Sequence, residues 1–279
     1  MQTILKADGI TKNAIRMHYD LATPFYRLLW GHHIHHGLWS GEESPVLAQT
    51  RLVERVVSEA GIAPGSSILD VGSGMGGSAI HLARQLGCRV QGLTLSPVQR
   101  TWATFAAWQS GVSSQVRFVC QDVERVKIRR QSFDAIWSVE CTEHLFDKPG
   151  FFRRAATWLR PGGRIAICAW LAQERPHGRA AARDIRAVCE NFLCPSLGTS
   201  RDYLSWMADA GLKQCRFLDL TQQVAKTWQI CLHRVRRSRV HWLARWAGQN
   251  MINFLNHFDT ILRAYLSGAM RYGCFVALA

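Results

Sequence analysis

Ile68–Ala83 reads ILDVGSGMGGSAIHLA. An apolar run ends in Asp70, a turn follows with Gly72, Gly74, Gly76 and Gly77, and small and apolar residues then resume at helical spacing. The pattern predicts a strand, a tight glycine turn and a helix start. That is the nucleoside-binding corner of a doubly wound α/β sheet, where glycine lets the backbone turn sharply and touch a ligand. The plain alternative is a generic glycine-rich strand-to-helix turn. Asp70 argues for more. A pyrophosphate site aims amides and a helix dipole at an anion, and a carboxylate there is unwelcome. An acid two residues before Gly72 suits a cationic ligand.

The flanking sequence extends the sheet. Cys88 to Leu95 (CRVQGLTL) predicts a second strand, running into Ser96, Pro97 and Gln99 without an acid at its end. Val116 to Cys120 predicts a third, followed by Asp122 and Val123. Phe133 to Val139 predicts a fourth, which delivers Glu140, Cys141, Thr142, Glu143 and His144 to the carboxyl edge, where ligands bind in open α/β sheets. ATWLRPGGRIAICA (156–169) predicts a helix, a Pro161-Gly162-Gly163 turn and strand five. Gln214 to Leu220 predicts strand six, and Arg271 to Leu278 a last strand returning antiparallel. The expected fold class is α/β, a Rossmann-like, doubly wound, seven-stranded sheet.

Composition sets the bounds. The chain has 279 residues, 48% of them hydrophobic, enough for a large domain or a core with a cap. No apolar run reaches the roughly 20 residues of a membrane span, and no basic-then-apolar signal opens the sequence. The expectation is a cytoplasmic protein. Nine cysteines without a C-x-x-C pair, several of them in apolar strands, read as buried free thiols. Net charge is +14, which favours an anionic partner. Lys226 to Arg245 holds six Lys and Arg residues and no acid, interleaved with Trp228, Trp242 and Trp246. Such a helix either packs its tryptophans as a cap or lies on an anionic membrane.

The expected organisation is a helical N-terminal lid over 1–60 and a nucleotide-binding domain over 61–279. That domain carries a helical substrate cap at about 174–266. Tyr19 to Trp30 and Pro45 to Ala60 show helical spacing. Between them, His32, His33, His35 and His36 crowd one loop. A metal site is the sharp alternative there. Neighbouring loop residues seldom converge on one ion and no acid or cysteine partner is evident, so a gating loop is expected and no metal.

Several motifs carry a resemblance. Ile68–Ala83 resembles motif I of class I S-adenosylmethionine-dependent methyltransferases. GLTLSPVQ, H-x-H-H-G-L, WSVECTEHLFDK and RYGCFVA resemble the tocopherol methyltransferase branch of small-molecule C-, N- and O-methyltransferases. HYDLATPFYRLLWG is similar to the opening of the related cyclopropane-fatty-acid synthases. The resemblance spans about Tyr19 to Ala172 plus the last strand. It implies S-adenosylmethionine as cofactor and S-adenosylhomocysteine as product. It also implies a binding set: Asp70, Gly72, Ser73 and Gly74 at the glycine turn; Thr94, Leu95 and Gln99 toward the ribose; Asp122 and Val123 at the adenine; Val139 beneath; Tyr19, His36 and Gly37 from the lid. Two departures argue against cyclopropanation: Leu38 replaces a lid cysteine, and Cys168 to Trp170 lacks a histidine.

Methyl transfer requires alignment and exclusion of water, and a proton must leave if carbon or oxygen attacks. His144 is the expected base, followed by Glu140 and His36. A pocket-lining structural role is the alternative for His144. The expected substrate is a lipophilic small molecule, of prenylated phenol, quinone, terpenoid or polyketide type, methylated at carbon. O- or N-methylation, a nucleic-acid methyltransferase and a non-catalytic binding protein are the alternatives. The place after strand four reads VECT where amino-methylating nucleic-acid enzymes carry [NDS]-P-P-[FY], so no nucleic-acid partner is expected. The oligomeric state is left open.

Overall fold

The computed structural model describes residues 7, 9–29, 31, 33–174, 178–237 and 249–279. Helices α1 (Lys12–Leu29) and α2 (Pro45–Ala60) precede β1 (Ser67–Val71). Then come α3 (Gly77–Leu86), β2 (Arg89–Thr94), α4 (Pro97–Gln109), β3 (Val116–Cys120) and β4 (Phe133–Val139). The chain continues through α5 (Lys148–Trp158), β5 (Leu159–Ala172), α6 (Gly178–Asn191), α7 (Ser200–Asp209) and β6 (Lys213–Asp219). Helices Lys226–Arg237, Gln249–Asn256 and Phe258–Leu266 lead to β7 (Met270–Leu278). The strands form one sheet in the order β3-β2-β1-β4-β5-β7-β6, with β7 antiparallel to both neighbours. The expected fold is present.

Local chemistry places the elements. Ser44 caps α2 by accepting from the Leu47 N–H, Pro45 opens the helix, and Gly61 closes it at φ +61°. Ser96 and Pro97 do the same for the start of α4. Thr199 and Asp202 form a reciprocal capping box on α7. Successive side chains of a strand face opposite sides. Ile68 therefore joins the cluster with Leu52, Leu82 and Ala103 of α2, α3 and α4. Leu69 joins Phe151, Phe152 and Met207 of α5 and α7 on the other face.

The Pro161-Gly162-Gly163 turn does not separate a helix from a strand. α5 ends at Trp158, and β5 pairs on both sides of the turn: Leu159 with Phe133 and Arg164 with Ala135. The turn is a bulge within β5, with Gly162 at φ +74°. Apart from α7, which packs on the other face of the sheet, the helices of the 174–266 region share one apolar cluster with α1 and with the sheet. Trp228 lies inside that cluster; Trp242, Trp246 and His32 lie outside the described residues. All nine cysteines are free. No helix among the described residues is long and apolar enough to cross a membrane.

Candidate active site

β1 is the switch point of the sheet, since the chain leaves it toward β2 on one side and β4 lies on the other. A crevice opens at the carboxyl ends of such strands. Two adjoining cavities fill it. The first is lined by Gly72, Gly74, Thr94, Leu95, Gln99 and Val139 from the sheet edge, with Ile15 and Tyr19 of α1 above. The second is lined by Tyr26, Trp170, Phe192 and Trp228, with His18, His36 and Glu143. Tyr19, Ile34, Glu140 and His144 line both.

The first cavity has the features of a methyl-donor site. Asp70 is buried at the end of β1, and its Oδ2 has no hydrogen-bond partner among the described residues. Burial pushes its carboxyl up to about 7. A cationic group beside Asp70 would restore the charge and supply the missing partner. Gly72 has φ +76°, and a Cβ there would meet Cys141 Sγ at 2.4 Å. Gly74 has φ +52°, and a Cβ would meet nothing nearer than Ile34 Cδ1 at 3.9 Å, so that face is open to a ligand. Ser73 is held by a hydrogen bond to the Leu93 carbonyl at 3.3 Å. Thr94 Oγ1 donates to Gln99 Oε1 at 2.9 Å. This fixes the Gln99 amide with its nitrogen free among the described residues, as a diol requires. Ser96 caps α4 while donating to Asp20 at 2.5 Å, which ties α1 to the site.

Several expected contacts fall elsewhere: Asp70 and Ser73 line a neighbouring pocket that shares Gly72 and Gly74 with the first cavity. Asp122 and Val123 are not in the cavity wall. Asp122 is occupied by Lys12 Nζ at 3.1 Å and by the Glu124 N–H at 2.9 Å. Gly37 faces away from the cavities. Its N–H donates to Thr227 Oγ1, and a Cβ would strike Ala48 at 2.6 Å, so this glycine serves packing.

The boundary between the cavities carries the proton-handling groups. His144 Nδ1 lies 3.0 Å from the Leu193 carbonyl, which can only accept, so Nδ1 bears the proton. Its Nε2 then accepts from Tyr19 Oη at 2.7 Å. Burial, with Lys148 and Lys12 nearby, pushes His144 down to about 4, below the ordinary histidine range expected from sequence. His144 is neutral near pH 7, with its lone pair on the cavity boundary.

Glu140 sits at φ +53°, a strained backbone for a residue with a side chain. Its carboxylate accepts from His36 Nδ1 at 2.9 Å, the His36 backbone N–H, Tyr272 Oη at 2.8 Å and Trp170 Nε1 at 3.0 Å. Burial alone would raise it, yet these donors, the His36 ring foremost, hold it below the usual glutamate range. His36 Nε2 accepts from the Trp228 indole N–H at 2.6 Å. An indole can only donate, so both ring nitrogens of His36 are engaged. Glu140 and His36 form a buried scaffold that orients Trp170 and Trp228: both ring nitrogens of His36 are engaged, and Glu140 Oε1 accepts three bonds while Oε2 accepts from Trp170.

Glu143 is the residue that sequence reading passed over. It lies in a one-turn helix (Thr142–His144), 1% exposed. Oε1 accepts from the Trp170 N–H at 2.5 Å, and Oε2 has no partner among the described residues. Burial pushes it up to about 8. The E-x-x-E-H spacing was the available signal, since i and i+3 return to one side of a tight helical turn. His33 and His35 bond each other at 2.9 Å, and Gln49 bonds both their carbonyls.

Comparison with known proteins agrees with this geometry. Residues 8–269 match the family model of mycolic acid cyclopropane synthetase. A probable chloroplastic tocopherol O-methyltransferase of Oryza sativa subsp. japonica is 30% identical over 232 residues, 78% of this chain and 64% of that protein. The chain thus spans slightly less than two thirds of the rice relative. The 27-O-demethylrifamycin SV methyltransferase of Amycolatopsis mediterranei is 31% identical over 220 residues, 78% of this chain and 80% of that one. Among solved structures, the [4+2]-cyclase SpnF superposes with a TM-score of 0.86 at 23% identity, covering 100% of this chain and 98% of that chain. That likeness speaks for the fold.

Proposed function

The chain belongs to the mycolic acid cyclopropane synthetase family of S-adenosylmethionine-dependent methyltransferases, and from that premise we propose that it methylates a carbon atom of a lipophilic small molecule. The acceptor class is a prenylated phenol or quinone, a terpenoid or a polyketide. The carrying observation is the pair of adjoining cavities, one edged by Gly72 and Gly74 of the glycine turn, the other walled by Tyr26, Trp170, Phe192 and Trp228; Asp70 lines a neighbouring pocket that shares Gly72 and Gly74. Rice and Amycolatopsis relatives named for tocopherol and a rifamycin support the acceptor class.

Bound in the first cavity, S-adenosylmethionine supplies an electrophilic methyl carbon on a sulfonium that leaves as a neutral thioether. Asp70, Gly72, Gly74, Thr94, Leu95, Gln99 and Val139 hold it. Asp122 and Val123 join only if Lys12 releases Asp122. Tyr19 and Ile34 separate donor from acceptor and exclude water. The aromatic wall orients the acceptor, and Glu143 Oε2 receives its polar group. His144 Nε2 takes the departing proton, directly or through Tyr19 Oη. A base with a pKa of about 4 is too weak to ionise a phenol before attack. It is strong enough for the acidic proton of the cation that forms when a ring or alkene carbon attacks.

A panel of prenyl quinols, phenols, terpenoids and polyketides, incubated with donor carrying a ¹³C methyl, tests the reading. The expected product shows a carbon-bound methyl resonance. An O- or N-methyl product overturns the carbon assignment, and donor binding without turnover on any acceptor overturns the enzymatic one.

A further inference from the structure

α4 presents an unusual outer face. Trp102, Phe105 and Trp108 are 40%, 54% and 66% exposed. They are spaced by three residues and share one stripe of the helix, with Phe105 and Trp108 in contact at 5.7 Å between ring centres. Among the described residues these are three of the four exposed Trp and Phe side chains; the fourth, Phe146, lies under Lys12. The inner face of α4, with Ala103 and Ala107, is already seated on the sheet. Burying nothing further, the outer stripe has no role in the fold.

The surroundings are cationic. No aspartate or glutamate occurs between Asp70 and Asp122. α4 packs against β3, α1 and α3. Arg84 on α3 and Arg100 on α4 are exposed and make no ion pair among the described residues. Beyond β3, Arg125, Lys127, Arg129 and Arg130 are also exposed. The helix Lys226–Arg237 offers no comparable face, because its Trp228, Cys231 and Val235 are buried in the core.

We infer that the α4 stripe and its flanking arginines dock the protein on an anionic lipid surface. Trp and Phe insert at the headgroup boundary while arginines meet lipid phosphates, the combination that holds peripheral helices. A convex helix face with protruding rings suits a bilayer. A nucleic acid would call for a groove in which bases stack, and a second copy of the chain would have to face the same unpaired arginines. The assignment uses no residue of the two cavities.

The test uses the whole protein and phosphatidylcholine vesicles with or without phosphatidylglycerol. Cosedimentation should require phosphatidylglycerol and weaken with salt. The triple variant Trp102→Ser, Phe105→Ser, Trp108→Ser should lower vesicle partitioning by about tenfold or more. Arg84→Gln and Arg100→Gln together should weaken the preference for phosphatidylglycerol. Arg236→Gln with Arg237→Gln should change neither. S-adenosylhomocysteine affinity, measured in each variant, shows whether the protein is folded. Unaltered vesicle binding in the serine variant overturns the inference. So does a concentration-dependent dimer that this variant abolishes, or a preference for RNA over vesicles. Methyl transfer to a soluble acceptor is read separately, so its failure leaves the docking result standing.

Discussion

Asp70 and Glu143 are buried carboxyls, each with one oxygen lacking a partner among the described residues, and burial raises both. Their raised values set signs that can be measured. A cationic donor binds the ionised Asp70 better, so donor affinity should strengthen as pH rises through about 7. Asp70→Asn should remove that dependence and weaken binding by roughly 10- to 100-fold, the value of a hydrogen bond to a charged group; calorimetry across pH reads both. For Glu143 the folded state binds a proton more tightly than the unfolded chain. Its contribution to stability is therefore complete below about 4.5 and is lost as pH rises toward about 8. Glu143→Gln should flatten that part of the melting-temperature profile and slow turnover without changing donor affinity. His144 carries the opposite shift. His144→Ala should cost about 100-fold in kcat, the lower end for a lost general base. The acidic limb of the wild-type rate profile should fall near 4, not 6.5. A limb near 6.5 would mean that another group controls the proton.

At the scale of elements, the loop after α1 is less free than a gating loop. Four consecutive amides are already bonded: His36 to Glu140, Gly37 to Thr227, Leu38 to the Ala48 carbonyl and Trp39 to the Gln223 carbonyl. We propose that any closure over donor belongs to α1, which lines the first cavity through Ile15 and Tyr19. Donor should slow hydrogen exchange over Lys12–Leu29 and leave residues 36–39 nearly unchanged; equal exchange in α1 with and without donor would count against a lid. Gly74→Val should abolish donor binding, because its side chain would project into open cavity; the positive φ of Gly74 adds backbone strain, so the melting temperature of the variant is read beside its affinity. The strands were legible because their periodicity and the glycine turn are local signals. β3 and β4 match their expected bounds, and the residues from Gly72 to Gln99 that line the first cavity lie at or just after the ends of β1 and β2. The acceptor wall was not legible. Trp170, Phe192 and Trp228 come from separate elements, and only tertiary packing brings them together. Nor could the sequence show that Lys12, far from Asp122 along the chain, would occupy that carboxylate.

At the scale of the whole molecule, nine free thiols provide a map of the native state. Cys120 is the one exposed cysteine, and burial raises even its thiol, against the pull of Arg100. Maleimide labelling of the folded protein should mark Cys120 first and slowly, and all nine after denaturation. Rapid labelling of Cys189 or Cys194 instead would show that the cap opens as a unit. The sheet order has a consequence for biosynthesis. β6 is hydrogen-bonded to no strand except β7, and β7 also completes the far side of β5. On a ribosome, β7 is made after every other strand of the sheet. Until Met270–Leu278 has emerged, β5 has an open edge and β6 is an orphan strand, both exposed to other nascent chains. Five of the seven strands can thus assemble during translation, while β6 waits for one late segment to zip in between two earlier ones. A chaperone that shields strand edges would act on this protein in that interval.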